Sequence, residues 1–158
     1  MHYIILPFLG LLAAGFHIFF MRQWYNPKII LETVIAYGLA FNVGISGLYA
    51  FMGHAFASNK VAAYIGWPSG NPFQFEVAVT NLSFGVLGIL CFRFRENFWL
   101  ATIIAFSVFD FGAAYGHIRD IIINHNYAPG NAGAPLYANI IKPLAFIILY
   151  IVYKRVTF

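Results

Sequence analysis

Apolar residues run along this chain in five long blocks, separated by short links that carry polar and turn-forming residues. The blocks cover roughly 3–21, 30–52, 75–92, 98–118 and 136–153. Each comes close to the about 20 mostly apolar residues that a helix needs to cross a bilayer. The links are punctuated by breakers: Asn26-Pro27, then Pro68-Ser69-Gly70-Asn71-Pro72, the stretch Arg93 to Asn97, and Ala128-Pro129-Gly130-Asn131-Ala132-Gly133-Ala134-Pro135. The pattern predicts an all-α fold: a polytopic transmembrane bundle of five helices in one domain over residues 1–158. Residues 53–67 are too short to span and mixed in polarity. They either extend the second helix or lie flat at the interface.

Composition points the same way. Of 158 residues, 61% are hydrophobic and 9% charged, against about 25% charged in soluble domains. A chain of this length buries one small core at most, so lipid is the solvent that suits the remaining apolar surface. The start, Met1-His2-Tyr3-Ile4-Ile5, lacks a basic n-region, and no small-residue cleavage site follows. An uncleaved first helix is expected. The single cysteine, Cys91, excludes an intrachain disulfide and a cysteine-rich metal site. It is expected as a small core residue.

The nine Lys and Arg are scattered, so no nucleic-acid partner is expected. They act as topology signals instead. Arg22, Lys28, Arg93, Arg95, Lys154 and Arg155 fall on one side of a five-helix bundle, and Lys60, Arg119 and Lys142 on the other. The partition predicts an N-terminus outside and a cytoplasmic C-terminus in a bacterial inner (cytoplasmic) membrane. Trp24, Trp99 and Tyr153 are expected at the inner interface, and Tyr3, Tyr64, Trp67 and Tyr137 at the outer. Small residues mark close helix packing: Gly112 and Gly116, Ala36 with Ala40 and Gly44, and Gly85 with Gly88. Contacts within the chain are the preferred reading over a dimer face.

Charged groups inside a bilayer are costly and usually face the bundle interior. The chain has five acids, Glu32, Glu76, Glu96, Asp110 and Asp120. Glu96 sits beside Arg93 and Arg95 as a solvated or paired charge. Glu32 suits the positive start of the second helix. Glu76 opens the third helix, with Thr80 and Ser83 on its face. Asp110 lies near mid-membrane, and His117 and Asp120 follow along the same arc. The topology brings His2, His54, His117 and His125 to the outer end, with His17 alone toward the inside as a packing histidine. Imidazole and carboxylate together suit a transition metal ion such as zinc, iron, manganese or copper. The candidate ligands are His54, Glu76, Asp110, His117 and Asp120. A competing reading has interfacial histidines and an ion pair between an aspartate and Arg119 or Lys142. A third has proton handling or small-ligand binding. Asn42, which shares a face with Ser46 and Tyr49, either lines a polar interior or bonds across helices. The same choice stands for Asn81, and His125 is either polar lining at the outer end or an interfacial histidine. The loop from Asn124 to Gly133 either packs back onto the outer mouth or is an ordinary loop.

Three stretches carry a likeness: Phe73-Gln74-Phe75-Glu76 with Asn81, Gly116-His117-Ile118-Arg119, and Ala128-Pro129-Gly130-Asn131-Ala132-Gly133. Over about residues 30–150 the chain resembles a family of small bacterial membrane proteins with a domain of unknown function. The resemblance implies a membrane setting and points to Glu76, Asn81 and His117, without a mechanism. Similarity to DoxX-type membrane proteins is looser, and the fifth helix departs from them. Three function classes follow: an outward-facing His/carboxylate site for a metal ion or protons, which could be enzymatic; an accessory subunit of a larger membrane complex; and a small oligomeric transporter or channel. The bilayer is the expected partner, with another membrane protein or a second copy as the further candidates.

Overall fold

The computed structural model describes residues 2–22 and 24–157, and the side chain of His2 lies outside that set. Six helices account for almost all of it: α1 (His2–Phe20), α2 (Pro27–Phe56), α3 (Ser58–Ile65), α4 (Phe73–Leu90), α5 (Asn97–Asn124) and α6 (Ala134–Thr157). All but α3 are long and apolar enough to cross a membrane. Each apolar block of the sequence therefore becomes one helix. The largest boundary difference is at α5, which runs six residues past 118 to Asn124. Arg119, Asp120 and Asn124 end the apolar pattern there without ending the hydrogen-bond ladder.

Local chemistry sets the breaks. Asn26 caps α2 by accepting from the backbone N–H groups of Lys28 and Ile29, at 3.1 and 3.3 Å, and Pro27 takes the first helical position. Residues 53–67 extend α2 only in part. The first four prolong α2 to Phe56; Ala57 then leaves helical geometry at φ −133° and ψ 34°, and α3 starts afresh. Gly66, at φ 83°, ends α3 in a left-handed turn that a side chain would strain. Inside α2, residues Ala40–Ile45 form a π-helical segment.

Two seams and one plug hold the bundle. The tightest seam joins α2 to α4 through glycines. A Cβ on Gly88 would collide with the Gly44 backbone, and one on Gly47 would come within 2.7 Å of the Asn81 carbonyl oxygen. Only glycine permits that approach. A looser seam joins α1 to α2, where Gly10 faces the Phe41 side chain. The plug fills the end that carries Arg22, Arg95 and Lys154. Ile35, Leu39, Trp99, Ile103, Phe146 and Tyr153 form its buried core. Trp99 donates to the Cys91 carbonyl at 2.8 Å and packs its ring edge-on against Tyr153. Arg95 pairs with Glu32 at 3.1 Å, and the Tyr153 hydroxyl donates to the same carboxylate at 3.3 Å. Cys91 is buried, as expected of a core residue.

Two expectations change. Trp99 and Tyr153 are core residues and not interface aromatics, at 0% and 2% exposure. Indole and phenol go inside here because each finds a polar partner there. The Gly112 and Gly116 pair on α5 has open space within 4 Å of any added Cβ, so it packs against no helix. The two glycine sets should therefore respond oppositely to substitution. Gly88→Val should lower the thermal stability of the detergent-purified protein by about 1–3 kcal/mol, the cost of overpacking. Gly112→Ala should leave it unchanged or raise it by roughly 0.5–1 kcal/mol, the helix preference of alanine.

Candidate functional site

At the end opposite the plug, α5 and α6 diverge from the α2–α4 slab. The space between them is a cavity of about 1180 Å³. Its walls come from the second half of α2 (Asn42, Ser46, Tyr49, His54), from α3 (Lys60, Tyr64), from α4 (Asn81), from α5 (Asp110, Gly112, Ala113, Gly116, His117) and from α6 (Asn139, Lys142). The glycines of α5 keep this volume open because they put no side chain into it.

The deepest polar feature is an ion pair. Lys142 Nζ approaches Asp110 Oδ2 at 3.4 Å, with side chains 15% and 5% exposed. The carboxylate oxygen has no aligned hydrogen bond. The lysine ammonium also sits 5.0 Å from the centre of the Phe106 ring, within reach of a cation–π attraction. Pro143 follows Lys142 inside α6 and has no N–H to give the Asn139 carbonyl. A backbone acceptor is thereby released beside the pair. Beneath lie aromatic rings in edge contact: Phe84 on Phe106 at 5.9 Å and Phe106 on Phe146 at 6.4 Å.

The rim is built from amide side chains. Asn131, 1% exposed, donates to the carbonyls of Asn126 and His117, at 2.8 and 3.3 Å. That fixes its amide orientation, so its oxygen faces His117 Nδ1 at 2.7 Å and the proton belongs on Nδ1. Asn126 donates to the Ile65 carbonyl at 2.9 Å and to Asp120 at 2.6 Å, and Asn124 donates to the other Asp120 oxygen at 2.6 Å. The Gly130 N–H reaches the Tyr64 carbonyl at 2.9 Å. The loop after α5 is thus folded back onto α3 at the mouth. Lys60 and Arg119 also line the cavity, and among the described residues neither has an ion-pair partner. His54 Nδ1 is buried in the wall without a hydrogen-bond partner.

The cavity brings together His54, Asp110, His117 and Asp120, with Asn42 and Asn81 in its walls. It does not include Glu76 or His125. Glu76 is exposed on the far side of α4, because the buried face of that helix runs through Gln74, Ala78, Gly85 and Gly88. His125 is exposed where the chain reverses at φ 52° after α5. His17 bonds the Tyr37 hydroxyl at 3.1 Å, as a packing histidine would. The expected metal ligands do not converge. Among the described residues no group of three His, Cys, Asp or Glu is placed to hold a metal ion. His117 Nδ1 and both Asp120 oxygens are already engaged by asparagines.

Sequence reading missed Asn126 and Asn131 as structural keys, and Asn139 and Tyr3 as lining. The asparagines clustered just past the end of α5 were a signal of side chains bonding nearby backbone.

The sequence matches the model of a family of unknown function, DUF6790, over residues 1–157. The chain belongs to the DUF6790 family. No curated protein and no solved structure matches it. The DUF6790 match spans all six helices, so it covers the floor, walls and rim of the cavity alike.

Removal of one partner of the buried pair should cost far more than removal of both. Lys142→Met should destabilise toward the low end of about 3–5 kcal/mol, since cavity water hydrates the orphaned carboxylate in part. The double variant Asp110→Asn/Lys142→Met should recover most of that loss in thermal unfolding. At the rim, Asn131→Leu strands two carbonyls and an imidazole N–H. It should cost about 1–3 kcal/mol per group left buried and unpaired, seen as a lowered melting temperature.

Proposed function

We propose that this is a multi-pass integral protein of a bacterial cytoplasmic membrane, N-terminus outside, that binds the polar group of a ligand in an outward-facing cavity and exchanges a proton at Asp110. The six-to-three partition of Lys and Arg supports the orientation. Cavity size supports ligand binding: small-molecule sites are typically about 300–1,000 Å³, largely apolar, with a few convergent polar groups.

One observation carries the reading, the Asp110–Lys142 pair at the floor of that cavity. A desolvated ion pair is weak evidence of stability, because hydrophobic residues of similar volume often serve as well or better. Ionisable groups inside a membrane more often mark a ligand or proton site. The pair is poised for exchange. An anionic ligand takes Lys142 and frees Asp110 to accept a proton; a cationic one takes Asp110. The unpartnered His54 Nδ1 in the wall supplies a further polar contact. The aromatic layer of Phe84, Phe106 and Phe146 under the floor favours a blind binding cavity over a continuous pore.

Infrared difference spectroscopy on the purified protein tests the proton step. Across the pH range in which the protein stays folded, a carboxyl band should appear and vanish, shift on transfer to heavy water, and be missing from Asp110→Asn. A carboxyl silent across that range would reduce the pair to a structural element.

A further inference from the structure

A second, apolar crevice of about 480 Å³ opens between α1 and α6. On α1 it is lined by Ile4, Pro7 and Leu11, which recur at helical spacing on one face. On α6 it is lined by Ile141, Ala145 and Leu149, again on one face. From Lys142 to Leu149 it runs roughly 10 Å along α6 at 1.5 Å per residue. Both walls belong to helices long and apolar enough to span a membrane, so the opening lies where acyl chains would be. The crevice is not isolated. Tyr3, Asn42 and Lys142 line both it and the polar cavity. The two volumes therefore meet at the floor, one side polar and the other hydrocarbon.

Charge selects the head group. Cations Lys60, Arg119 and Lys142 line the cavity against carboxylates Asp110 and Asp120, a surplus of one positive charge with histidines neutral. Lys142 is matched by Asp110, and Asp120, held by two asparagine amides, still offsets the neighbouring Arg119, which leaves one positive charge, that of Lys60 at the rim, to an incoming anion. We infer that the ligand is a single-chain anionic amphiphile, which enters sideways from the bilayer with its tail between α1 and α6 and its head in the cavity. This rests on the reading of the cavity as a ligand site. Such a molecule never leaves the membrane, so its tail need not be desolvated anew; the head alone changes surroundings, from the interface to the polar cavity.

The test uses the full chain in lipid nanodiscs with a photoactivatable hexadecanoate, its attachment sites mapped by mass spectrometry. Labels should concentrate on crevice residues of α1 and α6. Unlabelled hexadecanoate should compete, with butanoate and hexadecanol each at least about tenfold less effective. Ala145→Phe, which fills the crevice, should suppress labelling by about tenfold. Ile141→Trp, at the exposed edge of the crevice, provides a second obstruction should the first fail to fold. Labels spread evenly over the outward face of α1, including Phe8 and Phe16, and indifferent to both variants would overturn the inference as ordinary lipid contact. Equal competition by butanoate would overturn it too, but would leave the cavity as a site for a soluble anion. Equal competition by hexadecanol would overturn the anionic head. Crevice labelling beside a silent Asp110 carboxyl would uphold the amphiphile and remove the proton step alone.

Discussion

Backbone meets backbone where α2 crosses α4, and the rest of the architecture adapts to that contact. Gly44, Gly47, Gly85 and Gly88 bring the two helices so close that any side chain at the seam would collide. In lipid there is little hydrophobic gain in helix association, so close packing of this kind is the main attraction available. The seam turns α2 and α4 into a slab. A slab this tight cannot also wrap around α5 and α6 along its whole length. The other pair is gripped at the plug end, by Trp99, Tyr153 and the Glu32–Arg95 bridge, and stands away from the slab at the other. The cavity is what that geometry leaves over.

A void in a membrane protein needs polar reasons to persist, or lipid and side chains collapse into it. Here the reasons are layered. The ion pair at the floor holds two charges that require hydration or each other. At the rim the loop after α5 is tied to α3 by Asn126 on the Ile65 carbonyl and by the Gly130 N–H on the Tyr64 carbonyl, and back to α5 by Asn126 on Asp120. Between them, Gly112 and Gly116 contribute no bulk. Stability and openness are thus held by different residues, so the cavity does not rely on weakness in the core.

Fold class was legible because lipid imposes a simple rule: backbone polar groups must be satisfied within each segment, so apolar length alone reveals the helices. Apolar blocks and breakers located all five long helices. The site was legible only where a charge was out of place. Asp110 stood out in a hydrophobic run, and Lys142 was one of two cations offered as partner to an aspartate; the structure selects it over Arg119. The angular position of Glu76 on α4 was decided by glycines further along the same helix, which set the face that goes inward. Asn131 lies in a cluster of asparagines that signals side chains bonding nearby backbone, but its reach back to the His117 carbonyl on α5 depends on how the loop folds.

The π segment in α2 splits one covalent rod into two angular frames. Its wider turns hold more residues per turn than the α-helix on either side, so a stripe followed up the helix loses phase across Ala40–Ile45. Below it, α2 answers to α1 and α6; above it, to α4. The direction in which His54 and Tyr49 leave the helix is therefore offset from the α-helical phase of the lower half. The polar wall and the sealed end accordingly present different faces of one helix, each to its own neighbours.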